Sequence, residues 1–168
     1  MTRPVEYAQI VLACLDTAIT DGPFPIPQEK ICLRFGEIVN PTTGTGEDEC
    51  CTGLAWVRVA SVTSLVDPDD PNKCYGPFNR LELELGTARC IPFGTLQAGP
   101  TCDQWTTAAL TMDSDHAAME AAVCCARDLI RSMPFVDRVR VGDYEPLGPD
   151  GNCIRGTLTM TIDYECGC

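Results

Sequence analysis

Residues Ser114–Met133, SDHAAMEAAVCCARDLIRSM, decide the fold. Met119, Ala122, Val123, Ala126, Leu129, Ile130 and Met133 recur at spacings of three and four, the rows that share one face of an α-helix. Asp113 or Ser114 can cap its start and Pro134 ends it. Glu120, Arg127 and Arg131 project from the other side, so the helix is amphipathic and needs a covering layer. The segments on either side alternate with period two, which predicts a sheet as that layer. Successive helical residues diverge by about 100°. Cys124 and Cys125 therefore cannot bond to each other; Cys124 falls on the wet side, as a surface thiol or a partner for another segment, and Cys125 on the flank of the apolar stripe, where it is predicted to be buried.

Working outward, Thr101 and Gln104 form a Thr-x-x-Gln capping box that opens a helical segment carrying Trp105, Ala108, Ala109 and Met112. Asp113, Ser114 and Asp115 leave open whether it runs straight into the main helix. Upstream, Arg80–Cys90 sets Leu81, Leu83 and Leu85 on one face and Glu82 and Glu84 on the other, a strand with one solvated face. Residues 53–62 are apolar on both faces, through Leu54 and Trp56 on one side and Ala55, Val57 and Val59 on the other, which predicts a central strand. Residues 30–39 alternate through Ile31, Leu33 and Phe35. A first helix is predicted from Thr2 to about Ile19, with Pro4 in its first turn and Gly22, Pro23, Pro25 and Pro27 ending it. Downstream, Val136–Val141 reads as a strand, Gly148–Asn152 as a turn and Cys153–Cys166 as the return strand of a hairpin.

The 168 residues fit one domain over 1–168, with 45% hydrophobic and 21% charged residues, ordinary for a folded chain. Long polar loops are predicted at about 40–52 and 63–79. The first contains Glu47, Asp48 and Glu49, a solvated acidic run or a cation site without EF-hand spacing. The second contains Tyr75 and Phe78, which either anchor a partner or fold back onto their own sheet. No apolar run reaches membrane-spanning length, and Arg3, Pro4, Glu6 and Gln9 break any signal-peptide pattern, so synthesis in the cytosol and no membrane association are expected. The net charge of −12 argues against wrapping nucleic acid. It suits solubility, or a wall past which DNA slides without sticking.

Twelve cysteines stand out. Zinc is disfavoured by the absence of Cys-x-x-Cys, by the doublets Cys50-Cys51 and Cys124-Cys125, and by the single histidine, His116. Disulfides with buried free thiols are expected instead. A bond from Cys74 to Cys50 or Cys51 would restrain the two long loops, the alternative being idle thiols. No catalytic constellation, cofactor motif or metal set is assembled: any triad must pass through His116, and neither a Gly-rich phosphate loop nor a Gly-x-Ser-x-Gly elbow occurs. The chain is therefore expected not to be an enzyme.

The fold class expected is α+β: a mainly antiparallel sheet with two amphipathic helices packed on one face, in the order helix, three strands, long helix, two-stranded hairpin. With Trp56-Val57-Arg58, the run Arg80–Cys90 followed by Pro92, the Ala- and Cys-bearing helix, and the closing turn Gly148–Cys153 before a Thr-rich strand, the chain resembles the tail terminator proteins of long-tailed, siphovirus-type phages. In these details it looks like the versions in phages of actinobacteria. The resemblance implies a structural virion subunit at the neck, assembled in the host cytoplasm as a hexameric ring that ends tail-tube growth. Its implied partners are the tail tube protein and a head-completion or stopper protein, with DNA passing through the bore without sequence-specific binding. On that reading acidic side chains line the bore, Arg58, Arg80 and Arg89 pair with carboxylates of the neighbouring subunit, and the loops with Glu47, Asp48, Glu49, Tyr75 and Phe78 carry partner recognition. Another head-to-tail connector or stopper subunit, or a cysteine-rich extracellular binding module, are the alternatives.

Overall fold

The computed structural model describes residues 4–36, 50–65, 78–94 and 98–165. The protein is α+β: helix α1 (Pro4–Thr20), strands β1 (Ile31–Phe35), β2 (Leu54–Leu65) and β3 (Phe78–Cys90), helix α2 (Cys102–Arg131), then strands β4 (Val136–Asp150) and β5 (Cys153–Glu165), with one 3-10 turn at Gln28–Lys30. The five strands form one mixed sheet in the order β1-β2-β3-β5-β4. Three of its four pairings are antiparallel, and β1 runs parallel to β2. Alternation within each strand carries no sign of that direction. A parallel neighbour requires a crossover of a dozen or more residues, and the long segment between Phe35 and Leu54 has that length.

Both helices lie on one face. Tyr7, Ala8, Val11, Leu15 and Ile19 of α1 and Met119, Ala122, Val123, Ala126 and Ile130 of α2 share one buried cluster with Val57, Leu81, Leu83, Leu85, Leu158, Met160 and Ile162. Each fully buried leucine or isoleucine there contributes about 2 kcal/mol through apolar burial. The central strand β3 contributes Leu81, Leu83 and Leu85 to this cluster, with Thr87 and Arg89 further along the same face.

The two helical segments beginning at Thr101 and at Ser114 are one continuous 30-residue helix. The capping box forms as the spacing predicts: the Thr101 hydroxyl accepts from Gln104 N, and Gln104 Oε1 accepts from Thr101 N at 2.8 Å. Asp113 to Asp115 do not break the helix, because Asp115 points inward onto an arginine. The helix is about 45 Å long, and only its second half is covered. Its first three turns are largely solvent-exposed, Trp105 and Leu110 included, and the buried stripe starts only at Asp115. Leu129, expected in the stripe, is 52% exposed at the rim of a groove between the helices.

Strand β4 continues past Val141 to Asp150, with register shifts at Val136/Arg138, Val141/Tyr144 and Leu147/Asp150. The hairpin to β5 closes at Gly151 and Asn152, with Gly151 in the left-handed region at φ 61°. Residues 37–49 and 66–77, which hold Glu47, Asp48, Glu49, Cys74 and Tyr75, lie outside the described residues. Phe78 is the first residue of β3, opposite Leu65 and Glu165, and is half-buried.

Candidate functional site

The side of the sheet away from the helices carries the polar groups worth weighing as a site. By register and alternation it presents Leu54, Trp56 and Arg58 of β2, Arg80, Glu82, Glu84, Gly86 and Ala88 of β3, and Thr157, Thr159, Thr161 and Asp163 of β5. Trp56 lies flat over Gly86, where any β-carbon would collide with the indole ring. Its Nε1 donates to Glu84 Oε1 at 3.1 Å, and the same carboxylate accepts from Arg58 Nε at 3.2 Å. Arg58 Nη1 also reaches Gly36 O at 2.9 Å, which ties the end of β1 to β2. A tryptophan on the open face is thus fully buried, with its one donor satisfied.

Arg80, Arg58 and Arg89 were expected to reach a neighbouring subunit, and each instead meets a carboxylate of its own chain. Arg80 Nε donates to Asp163 Oδ1 at 2.7 Å and Nη2 to Asp163 Oδ2 at 3.0 Å, a bidentate pair across β3 and β5. The Arg80 hydrogen bond holds the Asp163 carboxyl below the usual carboxylate range against the opposing effect of burial, and the charges of Arg80, Arg140 and Arg138 act the same way. The Arg80 guanidinium is correspondingly raised, chiefly by its hydrogen bond to Asp163. Arg58 pairs with Glu84. Arg89 lies on the helix side: Nε donates to Asp115 Oδ2 at 2.8 Å, and Nη2 to Asp115 Oδ1 at 2.6 Å and to Phe24 O at 2.7 Å. One guanidinium therefore joins β3, α2 and the segment between α1 and β1. Side-chain exposures of 12% for Arg89 and 3% for Asp115 make this pair part of the fold. Gly53, at φ 87°, leaves the room that the Arg89 guanidinium occupies. Periodicity pointed to Arg89 only as a charge on a strand; its carboxylate partner sat on a helix more than twenty residues away, inside a turn read as a cap.

Three disulfides join Cys14 to Cys125, Cys50 to Cys153 and Cys51 to Cys90. Cys50 and Cys51 are thus both committed elsewhere, and the expected bond to Cys74 is not made by either. Cys90 and Cys153 are directly opposite each other in the β3–β5 register, so the adjacent Cys50 and Cys51 meet both at one end of the sheet. Cys125, expected to be buried, is exposed and bonds to Cys14 on α1, stapling the two helices; its position on the flank of the stripe places it at the helix–helix boundary. Cys124 is an exposed free thiol, and Cys32 and Cys102 are also free among the described residues.

His116 does not enter a triad: its ring stacks on Tyr144 at 4.1 Å, and its Nε2 lies 3.5 Å from Glu120. Burial raises the Tyr144 phenol above its ordinary value, and Asp115 and Asp113 add to the shift. Charge is distributed unevenly over the surface. The open face of the sheet carries Arg34, Arg58, Arg80, Arg138, Arg140 and Arg155, half of the twelve basic residues of the chain. With Glu82, Glu84, Glu145, Asp150 and Asp163 among them, this face is close to neutral, whereas the whole chain carries −12. Among the described residues, acidic side chains outnumber basic ones on the other surfaces.

No known protein family matches this chain, and no curated protein is similar to it. No helix among the described residues is long and apolar enough to cross a membrane.

Proposed function

We propose that the protein is a structural virion subunit, a tail terminator whose copies form a ring that ends tail-tube growth and joins the tail to the head-completion proteins. The observation that carries this reading is the sidedness of the subunit. Its sheet has two unlike outer strands, a five-residue parallel strand β1 at one end and a fifteen-residue, repeatedly bulged β4 at the other. One sheet face is near neutral and rich in arginine, while the remaining surface of the described residues is acidic. A subunit with two different complementary sides makes head-to-tail contacts, and these close into a ring when the rotation permits. Hexameric closure follows from the family resemblance, as does the bore through which DNA passes.

Arg34 and Arg138, exposed on the open face, take over the role first given to Arg58, Arg80 and Arg89 as cations for a neighbour's carboxylates. Partner recognition stays assigned to the segments that hold Glu47, Asp48, Glu49, Tyr75 and Phe78. The three disulfides favour a second reading, a cysteine-rich extracellular binding module. Native mass spectrometry of the purified chain separates the two: a discrete ring of about six copies that blocks elongation of purified tail tubes supports the terminator, and a stable monomer inert toward tubes overturns it. Shortening the loops one at a time then tests recognition. The expected product still folds and oligomerises but fails to join heads; joining that survives both deletions places recognition elsewhere.

A further inference from the structure

Cys50, Cys51, Cys90 and Cys153 come from three separate parts of the chain to one corner of the sheet. Their sulfurs are close enough to serve a purpose other than two cross-links. The Sγ atoms of Cys50, Cys51 and Cys90 all lie within 4.8 Å of one another, and Cys153 Sγ is bonded to Cys50. We propose that, when the two disulfides are reduced, these four cysteines form a tetrathiolate site for one zinc ion. Tetrahedral zinc with bonds of about 2.3 Å sets its sulfurs about 3.8 Å apart. Sulfurs bonded in a disulfide lie about 2.0 Å apart, so after reduction the Cys51–Cys90 and Cys50–Cys153 pairs each separate by about 2 Å through side-chain rotation, while the other close approaches within the cluster need shifts of about 1 Å or less.

The surroundings suit a closed structural site. Cys50 and Cys153 are buried with Leu54, Trp56 and Ala88, an apolar shell that excludes competing water ligands. Cys51 and Cys90 line a cleft of about 350 Å³ under the overhanging start of α2, which provides an entry path for the ion. Arg89, paired with Asp115, lines the same cleft. The pairwise spacing rules of zinc motifs miss this set because only Cys50 and Cys51 are close in sequence and the other two arrive through strand register.

The chemistry balances with a dithiol or phosphine as reductant. Each disulfide takes two electrons and two protons to give two thiols, and the reductant leaves as its disulfide or phosphine oxide. The four thiols then release four protons as zinc binds. The same corner is thus a pair of covalent links under oxidising conditions and a metal cross-link under reducing ones, joining β3, β5 and the segment leading into β2 in both states.

The test uses the full-length chain reduced with a phosphine under anaerobic conditions and titrated with cobalt(II) as a spectroscopic probe. Expected are one cobalt per chain, the sulfur-to-cobalt charge-transfer and tetrahedral d–d absorption of a four-sulfur site, and bleaching of both by zinc(II). The oxidised protein should show neither. C51S and C90S, at the exposed half of the cluster, should each lower the cobalt affinity at least tenfold while far-ultraviolet circular dichroism is retained. A C14S/C125S double variant should bind as the parent does. Alkylation with mass mapping should find these four thiols protected by zinc and Cys124 labelled. The proposal is overturned by the absence of saturable one-to-one binding, by cobalt spectra unchanged in C51S and C90S, or by a reduced chain that unfolds and is not restored by zinc.

Discussion

The two faces of the one sheet are held by different physics. On the helix side, contact is broad and undirected: two helices and the leucines of β3 form a single apolar cluster, and its stabilisation scales with area. On the open side the apolar cluster among the described residues is small, formed by Cys50, Leu54, Trp56, Ala88 and Cys153, and order comes from directed bonds: Trp56 to Glu84, Glu84 to Arg58, Arg80 to Asp163 and two disulfides. Sensitivity to conditions is distributed accordingly. Apolar contact on the helix side responds little to salt or reductant, while the open face carries the groups that respond to both. The exceptions are the Cys14–Cys125 disulfide between the two helices and Arg89–Asp115, a buried ion pair on the helix side that supplies the largest expected effect.

Asp115→Ala leaves the Arg89 guanidinium buried without its partner, and such a break costs about 3 to 5 kcal/mol. An Arg89→Met/Asp115→Leu double variant should recover most of that, since well-packed apolar pairs replace buried ion pairs at little cost. Urea unfolding of the three variants measures this. A double variant as unstable as Asp115→Ala would mean that the pair has a role beyond charge balance. Leu83→Ala, in the middle of the helix-side cluster, should cost about 3 kcal/mol by loss of burial and the cavity left behind. Its loss should be independent of salt, which sharpens the contrast between the faces; a salt-dependent loss would blur it.

On the open face, Gly86→Ala should cost about 2 kcal/mol, because the added methyl displaces the indole of Trp56. In a Trp105→Phe background Trp56 is the remaining fluorophore, so its emission should shift to longer wavelength as the ring lifts. Unchanged emission with full stability would show that the ring has another low-energy seat.

The same contrast explains what could be read from the residues alone. The helix-side face was legible almost position by position, because burial against a layer imposes periods of 3.6 and 2: Leu81, Leu83, Leu85, Met119, Ala122, Val123 and Ile130 all lie where periodicity puts them. The hairpin at Gly151 and the Thr101 cap were legible because each is a local hydrogen-bonding device. What periodicity could not supply was partnership over long separations. Arg80 finds Asp163 and Cys50 finds Cys153 only through sheet register, and the parallel direction of β1 is set by a crossover that leaves no periodic trace. The candidate site suffered most, since Arg58, Arg80 and Arg89 look like free surface charges until the register supplies Glu84, Asp163 and Asp115. Cys125 shows the same limit: its angle on the helix was right, but whether a flank residue is buried depends on where α1 crosses.

The smallest expected effects are in the pH dependence of stability, and they distinguish the faces by sign. Tyr144, on the helix side, has its phenol raised above the ordinary value of about 10, mainly by burial. Its contribution is complete below the ordinary value and is lost as pH rises through the raised one. Asp163, on the open side, is depressed mainly by its hydrogen bond from Arg80. Its contribution is present above the ordinary carboxylate value of about 3.9 and is lost as pH falls through the depressed one. The urea midpoint should therefore fall in strong alkali and in strong acid for different local reasons. Tyr144→Phe should flatten only the alkaline limb and Asp163→Asn only the acid limb, with added salt reducing the second because Arg80 is more than a third exposed. The measured quantity is the slope of stability against pH, which is separate from any loss that either substitution causes at neutrality. If Asp163→Asn left the acid limb as steep as before, acid sensitivity would belong to other carboxylates, and the assignment of condition-dependent stability to the open face would fail at its most accessible bond.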